Sequence, residues 1–214
     1  MQQSQDIGPF ETGKAFIKAV DDALETALVD HGFLRLRKLN FVLPINDEFD
    51  GWIGLNRNNK FARFGLIDLN AGWGIHCPVI QRFTSECWGE KYKRGEVCTA
   101  PLSWSNHPTT RHVQFSAAED IAQRADEVAQ FYRNEAVPRM LEHTSYSAII
   151  PNLEENAPSW GGWDQSLLLA YQLAGRAEQA KSYVQDRKKA CSENEQYAAY
   201  YQPFLSRFIE QYGQ

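Results

Sequence analysis

The fold class is decided by residues 14–32, KAFIKAVDDALETALVDHG, and by the segment FLRLR at residues 33–37 that follows them. Apolar side chains recur every three or four residues in the first stretch, which predicts an amphipathic helix. Gly32 is typical of the left-handed residue that closes a helix, and the alternation of apolar and basic residues after it predicts a strand. We therefore expect a helix packed on a sheet. The predicted apolar stripe consists of Phe16, Ile17, Val20, Ala23, Leu24, Ala27 and Leu28.

Between this strand and Ser116 the sequence alternates short β-prone runs with turn-forming residues. Residues 40–45, 52–57 and 61–69 read as strands of an antiparallel meander, and residues 70–77 either continue the third strand or form the next one. Residues 78–115 lack a clean period, so we expect short strands and ordered loops at the edge of the sheet.

After Ser116 the pattern becomes helical. Ser116 and Glu119 form a capping-box pattern, Pro151 is expected to end a short helix, and Asp164 is expected to cap a helix that stops at Gly175. Residues 154–159 read as an exposed linker, and two further helices are expected at 176–191 and 197–212. The prediction is an α+β protein, with an N-terminal helix packed on an antiparallel β-sheet and C-terminal helices that include a helical hairpin. Residues 1–150 are assigned to the α+β domain and residues 151–214 to a helical extension on the same core.

The charge and composition narrow the range of partners. The 214 residues include 22 Lys plus Arg and 27 Asp plus Glu, and no basic stripe interleaves with aromatics, so no nucleic-acid partner is expected. No apolar run approaches the roughly 20 residues of a membrane span, and the N-terminal residues lack the features of a signal peptide. We expect a cytoplasmic protein without a membrane partner.

The cysteines and histidines do not show a metal-binding spacing. Cys77, Cys87, Cys98 and Cys191 include no C-x-x-C pair, so neither a metal nor a cofactor is predicted. Three of these cysteines share a region with His76, His107 and His112, which leaves a zinc site assembled across strands as an alternative.

No sequence pattern singles out a catalytic residue. The glycines at Gly72 and Gly74 lack the third glycine and the helix of a phosphate loop, and no G-x-S-x-G elbow occurs. His76 and Cys77 are neighbours in a strand, so their side chains should point to opposite faces. Among the acidic residues only Asp68, within an apolar run, is of interest as a buried carboxylate.

Two acidic clusters and a tryptophan pair are the candidate contacts with a partner protein. The first cluster is an acidic turn that contains Asp47, Glu48 and Asp50, and the second lies in the expected linker. The sequence WGGW places two indoles before a helix, where they either anchor an interface or pack the helical tail onto the sheet. The remaining candidates are Glu154, Glu155, Trp160 and Trp163.

The order of these elements resembles a group of uncharacterised bacterial α+β proteins. The resemblance rests on the helix that ends at Gly32, the strand with Trp52, the helix after Ser116 that leads to VPRML at 137–141, and the elbow LAGR at 173–176. Members of this group are often encoded beside polymorphic or secretion-delivered toxins and are suspected immunity proteins. Residues 77–108 depart from the shorter middle of the group.

The resemblance implies a non-enzymatic protein-binding module that neutralises a cognate toxin by occluding its active site. It supplies no catalytic residue. The alternatives are a small hydrolase or transferase that uses the middle region with its cysteines, histidines and carboxylates, or an adaptor or structural protein.

Overall fold

The computed structural model describes residues 10–103, 113–157 and 162–213. As predicted, it is α+β, with an N-terminal helix, an antiparallel sheet and C-terminal helices. Its helices are α1 (Gly13–Asp30), α2 (Pro78–Cys87), α3 (Ile121–Phe131), α4 (Val137–Leu141), α5 (Tyr146–Asn156), α6 (Trp163–Leu173), α7 (Ala177–Glu193) and α8 (Glu195–Tyr212). Its strands are β1 (Leu34–Arg37), β2 (Asn40–Pro44), β3 (Asp50–Asn58), β4 (Leu66–His76), β5 (Ala100–Ser103) and β6 (Val113–Ser116).

The predicted first helix and its end are confirmed. The Thr12 hydroxyl accepts a hydrogen bond from the Ala15 N–H at 3.1 Å and caps α1. Gly32 follows the helix with a φ of +89°, the left-handed conformation expected there. The apolar stripe of α1, which includes Phe16 and Leu24, is buried, and the helix packs against β1 and α3.

The sheet is the expected antiparallel meander from β1 to β4, and β5 and β6 both pair with β4. β4 is one continuous strand, so its glycines do not divide it. Because side chains alternate along a strand, Ile53 and its partners on one face enter the core. Asp50, Trp52 and His76 lie on the other face, where Asp50 is the direct cross-strand partner of His76.

Two predictions for the middle of the chain are wrong. Residues 78–87 form α2 rather than strands and loops, with Pro78 at the first helical position and Ile80 and Phe83 buried one turn apart. Residues 61–65 do not belong to a strand, because Ala62–Phe64 is a 3₁₀ turn and β4 begins only at Leu66.

Several predicted helix boundaries are also wrong. Asp120, not Ser116, caps α3, because its carboxylate accepts from the N–H groups of the first turn at 3.0 and 3.1 Å. Pro151 lies inside α5, where burial of Ile150 and Leu153 retains the helix although proline lacks an N–H. The N-cap of α6 is Gly162, and Asp164 lies buried in the first turn of that helix.

The C-terminal helices form the expected hairpin and a closing helix. α6 ends before Gly175, which has a φ of +73°, and α7 and α8 follow. α6 and α8 both pack against α2, and a single core cluster joins their apolar residues to those of the sheet and α1. The expected linker is wrong for residues 154–156, which belong to α5, and that helix runs across the assigned division between residues 150 and 151. Of the described helices, none has the length and apolar composition required to cross a membrane.

Candidate functional site

A cleft of about 510 Å³ is lined by two arginines and two aspartates, and the buried polar side chains of Asp50 and His76 lie at its base. It opens between the β2–β3 turn, the first turns of α2 and the segment that follows α2. The fold brings the predicted Asp47 and Asp50 to this cleft. Its lining consists of Pro44, Ile45, Asn46, Asp47, Asp50, Pro78, Arg82, Tyr92 and Arg94.

A buried carboxylate at the base of the cleft holds an arginine. Asp50 is 1% exposed, so its predicted place in an exposed turn is wrong. Arg94 donates to both carboxylate oxygens, from Nε at 2.8 Å and from Nη2 at 2.5 Å. These hydrogen bonds raise the pKa of Arg94. Since a buried charge requires a partner, the guanidinium compensates Asp50, while 45% of the Arg94 side chain stays exposed.

A buried histidine beside Asp50 holds the same segment in place. His76 Nδ1 lies 2.8 Å from the Val97 carbonyl oxygen, which can only accept, so Nδ1 carries the proton. Nε2 then accepts from the Gly95 N–H at 3.2 Å and from the Tyr92 hydroxyl at 3.0 Å. Burial lowers the pKa of His76, which favours this neutral ring.

The position of Gly95 depends on its lack of a side chain. Its φ is +67°, and a Cβ there would lie 2.5 Å from Leu36 Cδ1 and 2.9 Å from Val42 Cγ1. The Gly95 carbonyl also accepts from the Trp52 indole N–H at 2.9 Å. The segment that carries Arg94 is therefore packed closely on the face of the sheet away from the core.

A second guanidinium lies over the aromatic ring in the cleft. Arg82, on α2, has its Cζ 5.4 Å from the centroid of the Tyr92 ring, within the range of a cation–π interaction. Burial is the main cause that raises the pKa of Tyr92, so its hydroxyl keeps its proton at neutral pH. The cleft is therefore lined by Arg82, stacked on the Tyr92 ring that His76 anchors, and by Arg94, held by Asp50.

The acidic turn between β2 and β3 is ordered by its own side chains. Asn46 Oδ1 accepts from the N–H groups of Glu48 and Phe49 at 2.9 and 2.8 Å. Glu48 is exposed and accepts a hydrogen bond from the Tyr146 hydroxyl at 2.8 Å. Asp47 is exposed at the rim of the cleft.

The other predicted partner contacts lie elsewhere. Glu154 and Glu155 are exposed on α5, and Glu154 accepts from the Tyr171 hydroxyl at 2.6 Å. They lie eight and nine residues after Tyr146, roughly 12 Å or more along the helix. Trp163 packs against the core at the start of α6, as the packing alternative predicted, and Trp160 lies outside the described residues.

The cysteines are not activated as nucleophiles. Burial raises the pKa of Cys77 and of Cys87 to about 11 and that of Cys98 to about 12. Within the described residues, no three His, Cys, Asp or Glu side chains lie together as a metal site would require, and His107 and His112 lie outside them. Asp68 is half-buried and accepts from Gln114 Nε2 at 2.8 Å.

An exposed apolar patch lies at the β3–β4 connection, residues 60–66, which we name the hairpin tip. Its Phe61, Phe64 and Leu66 side chains are 42%, 40% and 37% exposed. Lys60 Nζ lies 5.5 Å from the Phe61 ring centroid, and Arg63 Cζ lies 4.6 Å from that of Phe64. Exposed aromatic residues beside cations are common anchors of protein interfaces.

The hairpin tip is braced from two sides. On one side, Ala62, which lies between the two phenylalanines in the sequence, is buried. The start of α1 lies directly against the turn there, since a Cβ on Gly13 would lie only 3.0 Å from the Arg63 backbone nitrogen. On the other side, the Ala117 N–H donates to the Gly65 carbonyl at 2.8 Å. The exposed rings therefore project from a supported turn.

Sequence reasoning missed the hairpin tip and both cleft arginines. The sequence KFARFGL contains a usable signal, since a cation and a phenylalanine recur at a spacing of three residues. A 3₁₀ turn has three residues per turn and places such pairs on one side. No signal in the sequence links Arg94 to Asp50, because the pair forms across 44 residues.

Comparison with known proteins adds no assignment: no protein-family model, curated protein or solved structure shows significant similarity to the chain.

Proposed function

We propose that this protein is a non-enzymatic protein-binding module and that the hairpin tip is its main partner contact. The observation that carries this proposal is the exposure of Phe61 and Phe64 on a braced turn, each beside a cation. Exposed aromatic rings on a supported backbone lose little conformational entropy when a partner covers them. Lys60 and Arg63 complement an acidic rim around an apolar pocket of the partner.

The contacts in the cleft favour binding over catalysis. Both nitrogens of His76 are engaged, and its proton lies on Nδ1, bonded to a backbone carbonyl. Both oxygens of Asp50 are paired with Arg94. The Cys77 thiol is buried, with a pKa raised to about 11, so it is protonated at neutral pH. A general base or a nucleophile requires a group free to exchange a proton with a substrate.

The partner that we propose is a bacterial toxin, which the protein neutralises as an immunity protein in the cytoplasm. The order of elements that resembles suspected immunity proteins supports this choice. The hairpin tip supplies an apolar anchor of the kind found at the centre of protein interfaces. The acidic turn with Asp47 and Glu48 precedes β3, a strand of 9 residues that the hairpin tip follows, so it lies outside this contact.

The experiment is co-purification with the product of a neighbouring gene that encodes a toxin domain, as the proposal requires, followed by titration calorimetry. Phe61→Ser combined with Phe64→Ser should weaken the complex at least about 30-fold, the effect of losing a typical interface anchor. Leu141→Ser is the matched control, because Leu141 is 52% exposed on α4.

Thermal denaturation establishes that the variants are folded. Absence of a complex with the wild-type protein rejects the immunity proposal. A complex that tolerates the double substitution, or that Leu141→Ser weakens as much, rejects the hairpin tip as the contact. Turnover of a substrate that is lost with His76→Gln assigns the protein to the hydrolase or transferase alternative.

A further inference from the structure

The cleft holds an unused hydrogen-bonding edge on Arg94. A guanidinium has five N–H groups, and Asp50 takes the one on Nε and one on Nη2. The second N–H of Nη2 and both on Nη1 have no acceptor among the described residues. The free N–H of Nη2 and one of those on Nη1 form the end-on edge of the fork, which matches the two oxygens of a carboxylate.

A second donor group lies in the same cleft. The guanidinium of Arg82 stacks over the Tyr92 ring, and no described carboxylate pairs with it. Arg82 is exposed on α2 and lines the cleft together with Tyr92 and Arg94. Two arginines with free N–H groups therefore line one cleft.

Two buried polar residues keep these groups in place. Asp50 is 1% exposed and fixes Arg94, while His76 is fully buried and fixes the Tyr92 hydroxyl and the Gly95 backbone. Burial of a charge and an imidazole opposes folding unless partners compensate it. Asp50 thus orders Arg94, and His76 orders the Tyr92 ring on which Arg82 stacks. A preorganised binding site requires donors held in this way.

We infer that this cleft binds a carboxylate between Arg82 and Arg94. Asp47 and Asp50 balance the charges of Arg82 and Arg94, so no net positive charge in the lining favours a doubly charged phosphate over a monoanion, and the N–H groups of the two guanidiniums select the carboxylate. The carboxylate belongs to a glutamate side chain or to a chain terminus. The inference does not depend on the hairpin tip or on the toxin partner.

The test is an NMR titration of the full-length protein with acetate and with phosphate. The reporter is the Trp52 indole N–H, which donates to the carbonyl of Gly95, the neighbour of Arg94. Sodium chloride at matched ionic strength is the control for screening. N-acetylglycine represents a chain terminus, and N-acetylisoglutamine represents a glutamate side chain. The compound that binds with the lower Kd identifies the source of the carboxylate.

Acetate should shift the Trp52 resonance saturably, with a Kd in the millimolar range of a single weak ion pair. Arg82→Gln should weaken acetate binding about tenfold, since it removes charge-assisted hydrogen bonds. Arg139→Gln, an exposed arginine on α4, should leave it unchanged. Three results would each overturn the inference. They are equal shifts of the Trp52 resonance with chloride, unchanged affinity of Arg82→Gln for acetate, and tighter binding of phosphate than of acetate.

Discussion

The unequal burial of the Asp50–Arg94 pair predicts an unequal response to the loss of either partner. Asp50 is 1% exposed, whereas the Arg94 side chain is 45% exposed. Arg94→Met leaves an uncompensated carboxylate without access to water, which should lower the free energy of unfolding by about 3–5 kcal/mol. Asp50→Asn leaves a guanidinium that water can solvate, and the amide oxygen still accepts one hydrogen bond. We expect that loss to be only about 1–2 kcal/mol.

The double variant separates two contributions to the free energy of unfolding, that of the buried charge and that of the packing around Arg94. Once Asp50 is replaced by asparagine, the loss of Arg94 no longer leaves a buried charge. Asp50→Asn with Arg94→Met should therefore be at least about 1 kcal/mol more stable than Arg94→Met alone.

Urea unfolding followed by tryptophan fluorescence measures all three variants, and equal m-values show that the denatured states are comparable. Arg133→Met, at an exposed arginine, serves as the control and should change stability by no more than about 0.5 kcal/mol. An Asp50→Asn variant as unstable as Arg94→Met, or a double variant no better than Arg94→Met, would refute the assignment of Arg94 as the compensating charge.

Three further substitutions test the packing around the site and the C-terminal helices. Because burial lowers the pKa of His76, the unfolded chain binds a proton that the folded protein does not, and wild-type stability should fall as the pH drops below about 6.5. His76→Gln removes this slope, so its urea unfolding free energy should approach that of the wild type between about pH 8 and pH 5; a constant gap contradicts a neutral buried ring. Gly95→Ala should lower stability by about 1–3 kcal/mol in chemical denaturation, because its Cβ would lie 2.5 Å from Leu36 Cδ1 at a positive φ, and unchanged stability shows that the segment moves freely. Gln165 is 1% exposed and its amide atoms have no hydrogen-bond partner in the part of the chain that the structure describes, so Gln165→Met should raise the free energy of unfolding by about 1–2 kcal/mol. A lower melting temperature for Gln165→Met contradicts that prediction.

The helices and strands whose ends are set by neighbouring residues could be predicted from the sequence. The helical spacing before Gly32 and the alternation after it predict α1 and β1, because a helix stripe and a strand face are set by neighbours in the chain. The Gly175 stop and the following helices are predicted for the same reason. α2 was missed although Pro78 marks its start and Ile80, Phe83 and Cys87 recur at helical spacing, because ten residues hold few repeats of that period.

The candidate site could be predicted only in part. Asp47 and Glu48 lie on the exposed turn that their composition predicted, but Asp50 does not, because an arginine from a distant segment allows its burial. Phe61 and Phe64 were assigned to a strand, and only the 3₁₀ turn places both rings in solvent. The Asp50–Arg94 pair depends on long-range packing, which no spacing in one sequence encodes, whereas the 3₁₀ turn leaves a local signal in KFARFGL.

Titration of the activity of the toxin that we propose as the partner, with increasing amounts of this protein, tests the proposed binding function most directly. A module that occludes an active site acts by mass action, so inhibition should reach its end point at an equimolar ratio and should reverse when the complex is separated. Phe61→Ser with Phe64→Ser should lose inhibition, and His76→Gln should retain it. Complete and irreversible inactivation by a small fraction of an equivalent would show that the protein modifies the toxin chemically, which contradicts a role limited to binding.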